Sequence, residues 1–307
     1  MRVFVTGGTG LVGSRLIHAL VERGDTVVAL TRRPEAARAL FGQGITVVGG
    51  DPTAEGDWMS PTRDGDAIIH LAGENIFARR WSDTFRNLLH TSRVHSTENV
   101  VKALAQHPRT PAGQPKVLVN ASAIGYYGPR GDEELEESGP AGDDFLARLC
   151  VDWEKAARVA ETHGAKVAIV RVGVVLDKEG GALKAMLMPF KMGLGGRTGS
   201  GKQWVSWIHH ADIVGILLLA LDSAAAAGPI NATSPNPLPN RDFARALGRA
   251  LHRPAFMPTP GLAVRVLLGQ VSQLLTTGQR VLPRRALALG YTFRFPTIDA
   301  ALADILA

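Results

Sequence analysis

Residues 2–13, RVFVTGGTGLVG, set a β-branched, strand-like run directly against Gly7, Gly10 and Gly13, and the chain continues as LVGSRLIHALVERG at 11–24 with helical apolar spacing. No other segment constrains the possible fold as tightly. Gly7 permits a tight exit from the strand, Gly10 lets the backbone approach a bound group, and Gly13 lets the helix pack close. The amides of Thr9, Gly10, Leu11, Val12 and Gly13 then lie at the positive end of a helix, where a phosphate is favoured. A glycine-rich turn with no ligand is the competing reading. The strand before it and the helix after it favour a pyrophosphate site.

The same alternation recurs along the first half. TVVALT at 26–31, ITVVGG at 45–50, AIIHLAG at 67–73, KVLVNAS at 116–122 and KVAIVRVGVVL at 166–176 read as strands, with helices expected around 84–105 and 144–162. These strands are apolar throughout rather than alternating, as strands covered on both faces must be. The expected class is α/β, a Rossmann-type doubly wound parallel sheet with a smaller C-terminal lobe on the substrate side. A chain of 307 residues with 45% hydrophobic and 20% charged side chains can fill such a core. We expect residues 1–170 to form the dinucleotide-binding domain and 171–307 the substrate-side region, with a small C-terminal domain at about 250–307. PIN at 229–231 is a candidate for returning to the first sheet. Leu287, Leu289, Phe293, Phe295, Ile298, Leu302 and Ile305 are expected to anchor the C-terminal block.

Several classes are disfavoured. The single cysteine, Cys150, cannot form an internal disulfide, no Cys/His set for structural zinc is present, and a cytoplasmic location is expected. A strand beginning at residue 3 leaves no room for a signal peptide, and IVGILLLAL at 213–221 ends at Asp222, too short to span a membrane. The net charge of +6 attracts anions but forms no basic tract of the kind nucleic acids require. Gly196 to Lys202 has the spacing of an ATP-binding loop, but Gln203 stands where Ser or Thr is needed. His209 and His210 are adjacent, which disfavours convergence on one metal ion, and no metal is expected. DEELEESG at 132–139 reads as a solvated charge cluster.

The end of the second strand refines the cofactor. An acidic residue there would favour NAD, but the chain reads LTRRP, and Arg32 and Arg33 place guanidinium groups where a 2′-phosphate would sit. NADP(H) is therefore expected, with NAD(H) open as the alternative. Asp51 is placed to meet the adenine edge. Leu71, Ala72, Gly73 and Glu74 form the end of the fourth strand against the cofactor, with His70 a strand-end residue.

The order TGGTGLVG, TRR, HLAG, NASAIGYYG resembles the extended short-chain dehydrogenases/reductases, the class that includes nucleotide-sugar epimerases and dehydratases. Within it, AGENIFARRW at 72–81, SAIGYYG at 122–128, FLARLCVDWEKAA at 145–157 and GSGKQWVSWIHHAD at 199–212 resemble the NAD-dependent epimerase/dehydratase-like branch of epimerase family proteins. Members of that branch end in a small additional domain, which residues 278–306 resemble. The resemblance implies a nicotinamide cofactor across the carboxyl ends of the sheet, substrate beneath the C-terminal lobe, and a Ser/Thr-Tyr-Lys constellation.

The chain departs from that constellation. With Glu154 taken as the acid beyond the Lys, Cys150 stands at the Lys position and Leu146 at the Tyr position, while Ala123 replaces the Ser/Thr and Ser122 lies one residue earlier. Tyr126 is the candidate replacement acid, assisted by Ser122. Asn75, Arg80, Trp81, Tyr127, Lys202, Trp204 and His209 are candidates for holding an anionic small molecule. Three accounts stay open: reversible hydride transfer with relocated acid–base groups, NADP binding without turnover, and nucleotide-sugar epimerisation or dehydration. Monomer and homodimer are both compatible with the sequence.

Overall fold

The computed structural model describes residues 1–261, 266 and 269–307. The first half is built from β1 (Arg2–Thr6), α1 (Leu11–Glu22), β2 (Thr26–Thr31), α2 (Pro34–Phe41), β3 (Thr46–Gly49), β4 (Ala67–His70), α3 (Asp83–Thr91), α4 (Val94–Gln106) and β5 (Val117–Ala123). There follow β6 (Glu134–Leu135), α5 (Phe145–Arg158), β7 (Lys166–Val172), β8 (Val174–Leu176), α6 (Gly181–Lys191), β9 (Trp204–Val205), β10 (Trp207–His209), α7 (His210–Asp222), β11 (Gly228–Ala232), β12 (Leu238–Pro239), α8 (Asn240–Ala250) and β13 (Arg280–Val281). Short helices Gln273–Thr276 and Arg284–Ala288 and the C-terminal helix Ile298–Leu306 complete the lobe.

Seven strands form one sheet in the order β11-β7-β5-β4-β1-β2-β3, every neighbouring pair parallel. Chain order reverses at β1, between β2 and β4, and the carboxyl ends there open a crevice. Alternate residues of each strand feed opposite layers. Val3, Val5, Ala29 and Ile69 pack with α1 and α7 through Leu16, Ile17, Ile213 and Leu217. Phe4, Val28, Leu30 and Ile68 pack with α4 through Val100, Val101 and Leu104. Both faces are covered, which is why the strands read as continuously apolar. Among the described residues no helix is long and apolar enough to cross a membrane.

Four expectations are corrected. The helix expected over 84–105 is two helices: Ser96 and Thr97 hydroxyls bond back to the Arg93 carbonyl and the chain turns at Ser92–Arg93. The strand expected over 166–176 breaks at Gly173, where any Cβ would lie 2.5 Å from the Ser206 carbonyl oxygen, and β8 leaves the sheet to pair with β10. The acidic stretch at 132–139 is a clasp rather than a solvated cluster. There β6 pairs with β13, Glu134 and Glu136 bind Arg280 and Arg284, and Glu137 accepts from the amides of Asn231 and Arg285. Leu287 is 43% exposed and is no anchor, whereas Phe293, Ile298, Leu302 and Ile305 are buried and Leu289 and Phe295 pack half-buried against the cores. PIN at 229–231 does return to the sheet, within β11 beside β7.

Candidate functional site

At the β1–α1 turn, Gly7 has φ +70° and a Cβ on it would lie 2.7 Å from the Leu71 carbonyl carbon. A Cβ on Gly13 would lie 2.2 Å from the Gly7 carbonyl oxygen. Gly10 is the extended N-cap of α1 and has no side chain to cap the first helical amides. The turn is thus a backbone-lined cradle at a positive helix end, and it can hold a pyrophosphate. Behind it the ends of β1 and β4 are locked by a hydrogen-bond chain. The Ala72 amide donates to Thr6 Oγ1, Thr6 Oγ1 meets His70 Nδ1 at 2.6 Å, and His70 Nε2 meets Ser96 Oγ at 3.1 Å. Complete burial pushes the His70 pKa down to about 3, so the ring is held neutral.

Arg32 and Arg33 follow β2 and are both exposed. Among the described residues, neither guanidinium makes a hydrogen bond or ion pair, so two free cations follow the end of β2, the strand that pairs with β1 ahead of the glycine turn. Asp51 closes a turn by accepting from the amide and hydroxyl of Thr53.

Beyond the turn lies a cleft of about 410 Å³ between the carboxyl ends of β5 and β7, helix α5 and the C-terminal lobe. Leu11, Ser122, Leu146, Cys150, Trp204 and Gln279 line it from its several sides. Ser122 is buried and donates to Glu154 Oε1 at 2.8 Å, while Arg171 grips the same carboxylate with Nε at 2.8 Å and Nη2 at 2.9 Å. The network continues from Arg171 Nη1 to the Tyr127 hydroxyl, which donates to Asn231 Oδ1 at 2.7 Å. Burial pushes the Tyr127 pKa up to about 12 and the Cys150 thiol up to about 12, so both stay protonated at neutral pH.

These positions sort the sequence candidates. Ser122 and Trp204 line the cleft; the Trp204 indole donates to Asp132 and its ring sits under Arg280. Tyr126 is outside the lining, its ring stacked 3.4 Å beneath the Arg171 guanidinium. Tyr127 is corrected as a substrate contact: it is fully buried with both hydroxyl bonds made inside the protein. His209 is corrected likewise. It is 1% exposed, packed between His210 and Phe295, with Nδ1 accepting from the Ala211 amide. Lys202 is exposed on a turn outside the lining.

Asn75 is engaged in a turn with the Phe77 amide, and Arg80 reaches the Val266 carbonyl in the lobe. Trp81 donates to the Ile76 carbonyl and packs on Phe145 beside the cleft. The adjacent histidines do approach one carboxylate together, since His209, His210 and Asp304 have ligand atoms within 4.8 Å of one another. With Nδ1 accepting an amide proton, however, a neutral His209 must carry its hydrogen on Nε2, the atom 3.2 Å from Asp304, and offers no lone pair there. Sequence reasoning missed Arg93, a cleft residue, and Arg171, which holds Glu154. Their signals were slight: a hydroxyl-rich joint, SRVHST, and one arginine inside an apolar strand.

A profile of the NAD dependent epimerase/dehydratase family matches residues 3–232, and one of a domain of unknown function, DUF1731, matches residues 259–305. The epimerase family protein SDR39U1 of Mus musculus is 40% identical over 317 aligned positions covering 100% of both chains. The crystal structure of human epimerase family protein SDR39U1 (isoform 2) with NADPH superposes with a TM-score of 0.86 at 38% identity, covering 99% of both chains. A nucleoside-diphosphate sugar epimerase from Corynebacterium glutamicum aligns at 33% identity and TM-score 0.79, over 100% of this chain and 58% of its own. A glycine cradle at the sheet's reversal point, a closing C-terminal lobe and relatives matched end to end lead to one assignment: the chain belongs to the NAD-dependent epimerase/dehydratase family, among the epimerase family proteins with a DUF1731 extension.

Proposed function

We propose that the protein binds NADP(H) and catalyses reversible hydride transfer on an anionic small molecule held in the cleft. The observation that carries the reading is the pair of unpartnered cations, Arg32 and Arg33, at the end of β2 beside a turn where Cβ atoms at positions 7 and 13 would collide with backbone. Such a turn suits a pyrophosphate, and the two guanidiniums suit the 2′-phosphate that distinguishes NADP from NAD. NADPH in the crystal structure of the human relative supports the same cofactor.

The nicotinamide, when bound, supplies or accepts the hydride. The chain's part is to orient and to exclude water. Leu146, Leu149 and Val174 give the cleft apolar walls, and Glu154 with Arg171 fixes the Ser122 hydroxyl at its floor. Titration of NADPH with the purified chain, read by cofactor fluorescence, tests the proposal. Saturable binding followed by substrate-dependent loss of reduced-nicotinamide absorbance is expected, and failure to bind NADPH would overturn it.

A second reading is favoured by one observation. Leu146 cannot exchange a proton and the Cys150 thiol is held protonated, so the cleft wall on α5 lacks an acid–base pair. In that reading the protein senses NADP(H) without turning over. Saturable binding with no turnover across oxo and hydroxy substrates would select it.

A further inference from the structure

Arg93 is the sole charged side chain among the described residues lining the cleft. It sits at the joint between α3 and α4, largely buried, with its guanidinium 5.3 Å over the Trp153 ring and close against Gly73. It donates to the Glu74 carbonyl at 2.9 Å, the Leu89 carbonyl at 3.3 Å and Ser92 Oγ at 3.5 Å. These bonds engage three of the five N–H donors that a guanidinium carries. Among the described residues no carboxylate forms an ion pair with it. Glu74 acts on it only at a distance, and burial pulls the guanidinium pKa down from its ordinary value. A cation held in an apolar wall without a direct ion pair is costly, and an entering anion offsets that cost.

The other polar groups of the cleft are mostly engaged. Gln203 donates to the Thr198 and Leu275 carbonyls, Ser206 donates to the Gln279 carbonyl, and Asn240 Oδ1 accepts from the Thr198 amide. Ser122 spends its one O–H on the hydrogen bond to Glu154, so toward the cleft its oxygen can only accept. Ile76, Phe77, Leu146, Leu149, Val174 and Met186 make much of the remaining wall. Trp153 Nε1 is buried without a partner and the Gln279 side-chain amide makes no hydrogen bond among the described residues. One cation, a few uncommitted neutral polar groups and a largely apolar surround suit a ligand with a single planar anionic head, a hydroxyl and a hydrocarbon body.

We infer that the cleft's substrate is an apolar hydroxy or oxo carboxylic acid, and that Arg93 reads its carboxylate; the inference rests on the hydride-transfer reading above.

Calorimetric titration of the full chain saturated with NADPH tests this, using octanoate, its neutral isostere octanamide, and UDP-glucose as probes. Octanoate is expected to bind at least about tenfold more tightly than octanamide, the scale of one charge-assisted contact. Arg93→Met should abolish that difference, and Arg93→Lys should keep part of it, with NADPH affinity unchanged in both. A structural role for Arg93 would lower the melting temperature without moving the octanoate-to-octanamide ratio, and a ratio that survives in Arg93→Met overturns the inference. Equal binding of the two probes by the wild type, tighter binding of UDP-glucose, or loss of NADPH affinity in Arg93→Met would also overturn it. A wild-type chain that fails to bind NADPH would instead overturn the proposed function on which the inference stands.

Discussion

Arg171 and Glu154 face each other from β7 and α5 in a two-pronged ion pair, Nε to Oε1 at 2.8 Å and Nη2 to Oε2 at 2.9 Å, with side-chain exposures of 3% and 5%. Ser122 and Tyr127 both hang on this pair, so it sets the floor of the cleft. Removing one partner strands a buried charge. Arg171→Met should cost about 3–5 kcal/mol, and Arg171→Met combined with Glu154→Leu should recover at least about half of that loss. Urea unfolding read by circular dichroism measures both. A single variant as stable as the wild type would contradict the pair's role.

Neighbouring tyrosines should behave differently. Tyr127→Phe removes a hydroxyl that is bonded to Asn231 and Arg171 and buried completely, so it should destabilise by about 1–3 kcal/mol. Tyr126 contributes its ring face to Arg171, which phenylalanine retains, so Tyr126→Phe should stay within about 0.5 kcal/mol. Denaturation midpoints of the two variants check the assignment, and the opposite order would return Tyr127 to the candidates for ligand contact.

The legible parts of the molecule were those written in local pattern. Continuous apolar runs gave away strands covered on both faces, and Gly7 and Gly13 marked a turn where a Cβ cannot fit. What stayed hidden depends on partners distant in sequence. Glu134 and Leu135 look like a solvated acidic loop until Arg280 and Val281 pair with them, and Arg93 looks like an ordinary helix residue until the break at Ser92 turns it toward the cleft. His209 sits in a loop-like motif yet is covered by Phe295 from the C-terminal block. Tyr127 drew attention beside Tyr126 because periodicity does not reveal that Asn231, on the edge strand, accepts its hydrogen bond.

Acid should weaken the fold through its buried histidines. The His70 pKa is pushed down from its ordinary 6.5 to about 3 by burial, so between those values the unfolded chain binds a proton that the folded chain refuses. Stability is therefore whole above about pH 6.5 and falls toward pH 3, by up to about 1.4 kcal/mol per pH unit from this residue. His209, pushed down to about 4 by burial and by His210, adds to the same slope. Urea unfolding at about pH 7 and about pH 5 should show a smaller pH-dependent loss in His70→Gln than in the wild type. An identical loss in both would contradict the neutral, buried state of His70.

Equilibrium titration of NADPH against NADH tests the proposed reading of a 2′-phosphate by Arg32 and Arg33. The wild type should bind NADPH more tightly, and Arg32→Ala or Arg33→Ala should each weaken NADPH by about 1–3 kcal/mol while leaving NADH almost unchanged. Equal affinity for the two cofactors in the wild type, unaltered in either variant, would contradict it.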